Sequence, residues 1–175
     1  GDIGIVRECD GAIAIVDRKK NIFKLAQGEY VAAEKVENAL CTATLIAQAF
    51  VHGDSLRDHL VAVVVPCPDG AKVWAEKSGR ASGSLEALCG SGEFQAAVAQ
   101  AVKDVAQARK LQGYEVPRRI FLHSEEFSAE NGLLTPTFKL KRAEAKKRFA
   151  MAIEAMYAGH GGCAVGRAGK VKSRL

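Results

Sequence analysis

Three features of the sequence predict an α+β fold, a small two-layer domain in which a mixed sheet is covered by helices and preceded by a β-hairpin. Short strand-like runs interleave with helical stretches along the whole chain. The run 60–65 is apolar on both faces, as a central strand is. Residues 93–112 carry apolar side chains at helical spacing over about 30 Å, enough to cover one sheet face.

Taken in order, the runs 3–6 and 12–16 flank Glu8-Cys-Asp-Gly11, whose Asp-Gly pair signals a hairpin turn. A short strand over 22–25 leads into Gln27-Gly28-Glu29, a turn where glycine permits positive φ. A helix follows over 32–40, with Val36, Ala39 and Leu40 on one stripe. The apolar runs 45–51 and 60–65 are expected to pair in one sheet across a polar connection, and Pro66 and Pro68 end the second because neither donates to a ladder. A helix over 69–77 and a glycine-rich polar loop over 78–84 come next. The long helix buries Phe94, Val98, Val102 and their stripe neighbours and is expected to stop at Gly113. Pro117 precedes a strand over 120–123, and a last helix over 142–158 turns Ala145, Phe149, Ile153 and Met156 inward. From Gly159 to Leu175 apolar periodicity is lost, which predicts a flexible tail.

Composition narrows the function classes. The 175 residues suit one compact domain, and 48% apolar content without a long apolar stretch excludes a membrane-spanning helix of about 20 residues. Five scattered cysteines form no C-x-x-C pair and have no histidine at ligand spacing, so they predict free thiols in a reducing compartment and no metal site. His52, His59 and His123 accompany no nucleophile elbow, which argues against a hydrolase. A net charge of +5 favours anionic partners. One candidate is therefore a basic module binding RNA or acidic proteins through residues 139–148, but that stretch lacks aromatic interleaving, and no nucleic acid partner is expected.

Two cation-bearing segments more than a hundred residues apart carry the chemistry. They are Asp17-Arg-Lys-Lys-Asn-Ile-Phe-Lys-Leu-Ala-Gln-Gly-Glu-Tyr-Val31 and Asn131-Gly-Leu-Leu-Thr-Pro-Thr-Phe-Lys-Leu-Lys-Arg142. In each, a lysine stands beside glycine or proline turn chemistry and a short apolar run, which suits delivery of positive charge to a phosphate from a loop. Together they resemble the two signatures of the carboxyl-terminal domain of adenylate-forming (AMP-binding) enzymes, and Thr-Phe-Lys-Leu-Lys-Arg, in place of a serine-glycine-lysine pattern, resembles the long-chain fatty acyl-CoA synthetase branch. Luciferase-like ligases and peptide-synthetase adenylation domains are the alternatives within that superfamily.

The resemblance implies a hairpin over 1–18 belonging to the end of a large amino-terminal domain, a mobile lid domain over 19–158 and a tail over 159–175. It implies a ligase that joins a fatty acid to CoA with ATP, releasing AMP and pyrophosphate, with Mg2+ held mainly by the large domain. Lys139 takes the place of the catalytic lysine of adenylation. One positive charge about 4 Å from the reacting phosphate, at an effective dielectric near 20, is worth about 4 kcal/mol, or about a thousandfold in rate if it acts only at the transition state. Arg18 takes the place of a ribose-binding residue and Asp2 that of a carboxylate accepting ribose hydroxyls. Lys20 falls at the hinge on which the domain turns, and Lys24, Gly28 and Glu29 lie in the loop that enters the site for the CoA step. An isolated lid lacks the phosphate loop and acyl pocket of the large domain and is expected to be inactive. Tyr114-Glu-Val-Pro117 resembles a packing motif of the same family. The chain ends in Ser173-Arg174-Leu175, which resembles a peroxisomal or glycosome-like address; a cytoplasmic or peripheral membrane location is the alternative.

Overall fold

The computed structural model describes residues 2–7, 9–18, 21–79 and 83–165. Its organising element is strand β6 (Val61–Pro66), fully buried along its length. It pairs antiparallel with β5 (Ile46–His52) and parallel with β7 (Arg119–Leu122), and β7 pairs antiparallel with β8 (Cys163–Ala164). The result is a mixed sheet in the order β5-β6-β7-β8. Because successive strand residues point to opposite faces, Ala62 and Val64 enter one core while Val61, Val63 and Val65 enter another.

Helices close both faces. On the first, α1 (Ala33–Leu40), α2 (Pro68–Lys77), α3 (Leu85–Cys89) and α4 (Gly92–Ala108) contribute Val36, Leu40, Ala71, Phe94, Val98 and Val102. On the second, α5 (Arg142–Arg148) and α6 (Ala150–Tyr157) supply Ala145, Ile153 and Met156, joined by Phe127, Leu133 and Phe149 from the intervening chain. The α+β class and the mixed sheet covered by helices stand as expected, refined in that the cover is double and the layers are three. Two hairpins precede the sheet: β1 (Asp2–Val6) with β2 (Ile13–Arg18), and β3 (Ile22–Lys24) with β4 (Tyr30–Ala32). The Asp-Gly turn of the first forms as its sequence predicts, with Gly11 at φ 69 and its N–H donating to Arg7 O.

Four elements differ from expectation for local reasons. Helix α4 ends at Ala108, short of Gly113, because Lys110 itself adopts φ 52; Leu111 N–H then donates to Ala106 O and Lys110 N–H to Gln107 O, which satisfies the last carbonyls. The final helix is interrupted at Phe149 (φ −99, ψ 14), whose ring stays packed against His123 and Phe127. Helix α3 follows the polar loop, started by Ser84, whose hydroxyl accepts from Ala87 N–H. Finally, residues 159–165, read as the start of a tail, return to the sheet. There β8 edges β7, Val165 is buried, and the Arg119 side chain donates to the carbonyls of Gly161 and Gly162.

Gly162 makes that return possible. It sits at φ 66, and a Cβ there would lie 2.1 Å from the backbone oxygen of Ile120. Gly162→Ala is expected to cost about 2–4 kcal/mol and to lower the unfolding midpoint by on the order of 5–10 °C. Gly132→Ala, at φ 77 with nothing within 4 Å, meets only the backbone penalty of about 1 kcal/mol. Equal losses in thermal melts of the two variants would refute the steric account of β8 docking.

Candidate functional site

The segment that carries Lys139 is a closed turn on a buried root. Leu133 and Leu134 are buried in the second core, and Leu134 bridges antiparallel to Leu140. Between them Thr135 N–H donates to Lys139 O at 2.8 Å, Phe138 N–H to Thr135 O at 2.9 Å and Lys139 N–H to Thr135 Oγ1 at 3.1 Å. Thr137 Oγ1 lies 3.0 Å from Thr135 Oγ1. Three N–H groups of the turn are thus bonded within it, and the Phe138 and Lys139 side chains are left exposed. Phe138 has φ 58, a conformation that costs a non-glycine residue about 1–3 kcal/mol.

A buried ion pair holds the carboxyl end of this turn. Arg142 donates from both terminal nitrogens to the two oxygens of Glu37 on α1, with Nη1 at 2.9 Å from Oε1, and Val51 N–H on β5 donates to that same Oε1 at 2.8 Å. Glu37 is only 7% exposed. Burial pushes its carboxyl above the usual carboxylate range, against the downward pull of the Arg142 guanidinium. Nearby, Gln48 on β5 exchanges two hydrogen bonds with the backbone of Phe127 and fixes the chain that enters the turn. The resulting cleft of about 680 Å3 is lined by α1 residues Glu34, Glu37 and Asn38, by Gln48, and by Phe138 and Lys139 of the turn.

The glycine loop lies elsewhere. Lys24 and Tyr30 are cross-strand partners, with the ammonium 5.5 Å from the ring centroid. Leu25 N–H donates to Glu29 O and Gly28 N–H to Leu25 O, a tight turn closed by Gly28 at φ 95. Ala26 N–H donates to Arg57 O and the Gln27 amide to Asp58 O, so the loop leans on the β5–β6 connection. A Cβ at Gly53 in that connection would come within 2.3 Å of the Phe23 ring, which explains how closely the hairpin seats. Gln27, Asp58, His59 and Arg118 border a second cleft, of about 620 Å3. The lysine turn and the glycine loop thus border different clefts.

Of the other expected site residues, Asp2 and Arg18 are cross-strand partners at the open end of the first hairpin, although their side chains lie outside the described residues, as does Lys20. The tripeptide Ser173-Arg174-Leu175 lies outside them too. In the basic run after Lys139, Arg142, Lys147 and Arg148 are each paired with a carboxylate, Glu37, Glu144 and Glu125 respectively, which reduces the charge available to a polyanion. The Tyr114-Glu-Val-Pro117 motif packs as expected, through Glu115, which accepts from Lys35 at 2.6 Å and from Gln112 N–H at 2.9 Å. The residues not foreseen are Glu37 and Gln48. Glu37 had a signal, because Ala33, Val36, Glu37 and Leu40 form one buried stripe of α1, and a carboxylate there demands a partner.

No protein-family model matches the sequence. The chain is 48% identical over 157 residues to long chain acyl-CoA synthetase 6, peroxisomal, of Arabidopsis thaliana, a match covering 90% of this chain and 22% of that protein. It is 47% identical over 157 residues to long-chain-fatty-acid–CoA ligase 5 of Rattus norvegicus, covering 90% and 23%. Among solved structures, the adenylation domain of a carboxylate reductase from Mycobacterium chelonae superposes with a TM-score of 0.75 at 34% identity, covering 90% of this chain and 22% of that one. The A domain of a carboxylic acid reductase from Segniliparus rugosus, in complex with AMP and a co-purified carboxylic acid, gives 0.73 at 35% identity, covering 91% and 23%. These similarities, over about nine-tenths of this chain, place it as a fragment in the adenylate-forming class. Within that class it belongs with the long-chain acyl-CoA synthetases, a ligase family, and it spans between a fifth and a quarter of the length of the relatives it matches.

The Glu37–Arg142 pair is open to a direct stability test. Arg142→Met leaves a carboxylate buried without its cation and is expected to cost about 3–5 kcal/mol in denaturant unfolding. Adding Glu37→Met removes the stranded charge, so the double variant should recover part of that loss. Single variants costing less than about 1 kcal/mol would mean that the pair does not hold the turn.

Proposed function

We propose that this chain is the carboxyl-terminal lid of an ATP-dependent long-chain fatty acid–CoA ligase, joined in its parent protein to an amino-terminal AMP-binding domain. The observation that carries the proposal is the separation of the two loops: Lys139 lines one cleft and the Gly28 loop borders another. Two half-reactions need two sets of groups around one acyl-adenylate, and a unit with a loop on each of two clefts can present them in turn.

In the first half-reaction a fatty acid carboxylate oxygen attacks the α-phosphorus of ATP and pyrophosphate leaves. Lys139, exposed on a turn whose backbone bonds are already made, supplies positive charge to the phosphoryl oxygens as negative charge builds there. Arg18 and Asp2 hold the ribose, and Mg2+ is held mainly by the amino-terminal domain. Rotation about Lys20 then exchanges faces. In the second half-reaction the CoA sulfur attacks the acyl carbon and AMP leaves, with Gly28 allowing the backbone close to the pantetheine arm and Lys24 and Glu29 flanking it. The isolated segment, without the phosphate loop and acyl pocket of the parent, is inactive. The peroxisomal relatives from Arabidopsis thaliana support a peroxisomal address for the parent.

In the full-length protein, Lys139→Ala is expected to slow adenylation by about two to four powers of ten while leaving thioester formation from preformed acyl-adenylate much less affected. Equal loss in both half-reactions would refute the assignment of Lys139. Lys20→Pro should show the opposite pattern, sparing adenylation and slowing thioester formation; unchanged overall turnover would count against a pivot at that position.

A further inference from the structure

Phe138 carries two costs. Its backbone sits at φ 58, where glycine is at ease and an aromatic residue is not, and 81% of its surface is open to solvent. The neighbouring side chains are already engaged, Thr135 and Thr137 with each other and Thr135 with Lys139 N–H. Phe138 is therefore the large apolar group at the tip of the turn. Its Cα is one peptide, about 3.8 Å, from that of Lys139, and both residues line the same cleft, so the ring and the ammonium move as parts of one turn.

We propose that Phe138 shields the acyl-adenylate from water during the first half-reaction. The inference rests on the proposed function and adds to it a residue whose task is protection of the intermediate. An acyl-adenylate is a mixed anhydride. When water attacks its acyl carbon, the bond from that carbon to the phosphate oxygen breaks, the fatty acid is regenerated, AMP departs, and the ATP has been spent without product. A phenyl ring beside the reacting centre displaces that water, and the drier surroundings strengthen the attraction between Lys139 and the phosphate. When the lid turns for the CoA step, the ring leaves together with the lysine.

The test is the leak of AMP from the full-length protein given ATP and a long-chain fatty acid without CoA. Phe138→Gly, which relieves the backbone, is expected to keep or raise the unfolding midpoint while increasing steady-state AMP release by about fivefold or more. Phe138→Asn, a polar residue that also tolerates this conformation, should leak as the glycine variant does, and Phe138→Leu should restore most of the seal. All three should convert preformed adenylate to acyl-CoA at close to the wild-type rate. An unchanged leak in variants that still adenylate overturns the shielding role, and so does slower adenylation without added leak, which would mean that the ring only positions Lys139. Failure of the unaltered protein to form any AMP from fatty acid and ATP is a separate result and overturns the proposed function itself.

Discussion

The Glu37–Arg142 ion pair is the constraint on which the candidate site depends. It joins three parts of the chain that are far apart in sequence: α1, the edge strand β5 through Val51, and the residues that follow Lys139. A buried carboxylate is tolerable only when its oxygens are fully engaged, and here one guanidinium and one backbone N–H engage them. The planar fork of arginine fits both oxygens at once, a geometry that lysine cannot reproduce. The exposed tip of the turn thus stands on a root whose position is set by charge geometry as well as by apolar packing.

The two clefts follow from the same architecture. With helices on both faces of the sheet, functional loops are left to the connections at its margins. The glycine loop leads directly into β4 and α1, and α1 carries Glu37. The lysine turn leads directly into α5, whose first residue is Arg142. Each loop therefore runs without interruption into an element that carries one partner of the ion pair. The two loops thus border separate clefts while both run into elements that carry the ion pair, the arrangement on which the proposed two-step role rests.

Much of this was legible in the sequence because it depended on local pattern. The apolar run that became β6 announced burial on both faces, and the lysine and glycine turns were marked by Gly28 and Pro136. What was not legible depended on contacts distant in sequence or on single backbone conformations. The buried stripe of α1 marks Glu37 as needing a partner, but that partner, Arg142, lies 105 residues later and no local pattern names it. Strand β8 could not be foreseen from two residues following a glycine-rich stretch, since what places it is the register with β7 and the Arg119 side chain. Gly113 looked like the stop of α4, yet Lys110 closed the helix first. A lysine in the left-handed region has no clear signature, because the free energy that holds it there comes from carbonyls satisfied behind it.

Lys110 and Phe138 make an informative pair, since they are the two non-glycine residues with positive φ among the described residues. At Lys110 the compensation is visible: the helix end is capped, and Leu111 N–H reaches back to Ala106 O. At Phe138 the turn gains one comparable bond, from its own N–H to Thr135 O, but that bond would form as readily with glycine at the position and does not account for an exposed aromatic ring. Strain that serves the fold would tolerate whichever residue cost least. Strain borne by a residue whose side chain makes no use of it locally points outside the unit, which is what the proposed shielding role requires.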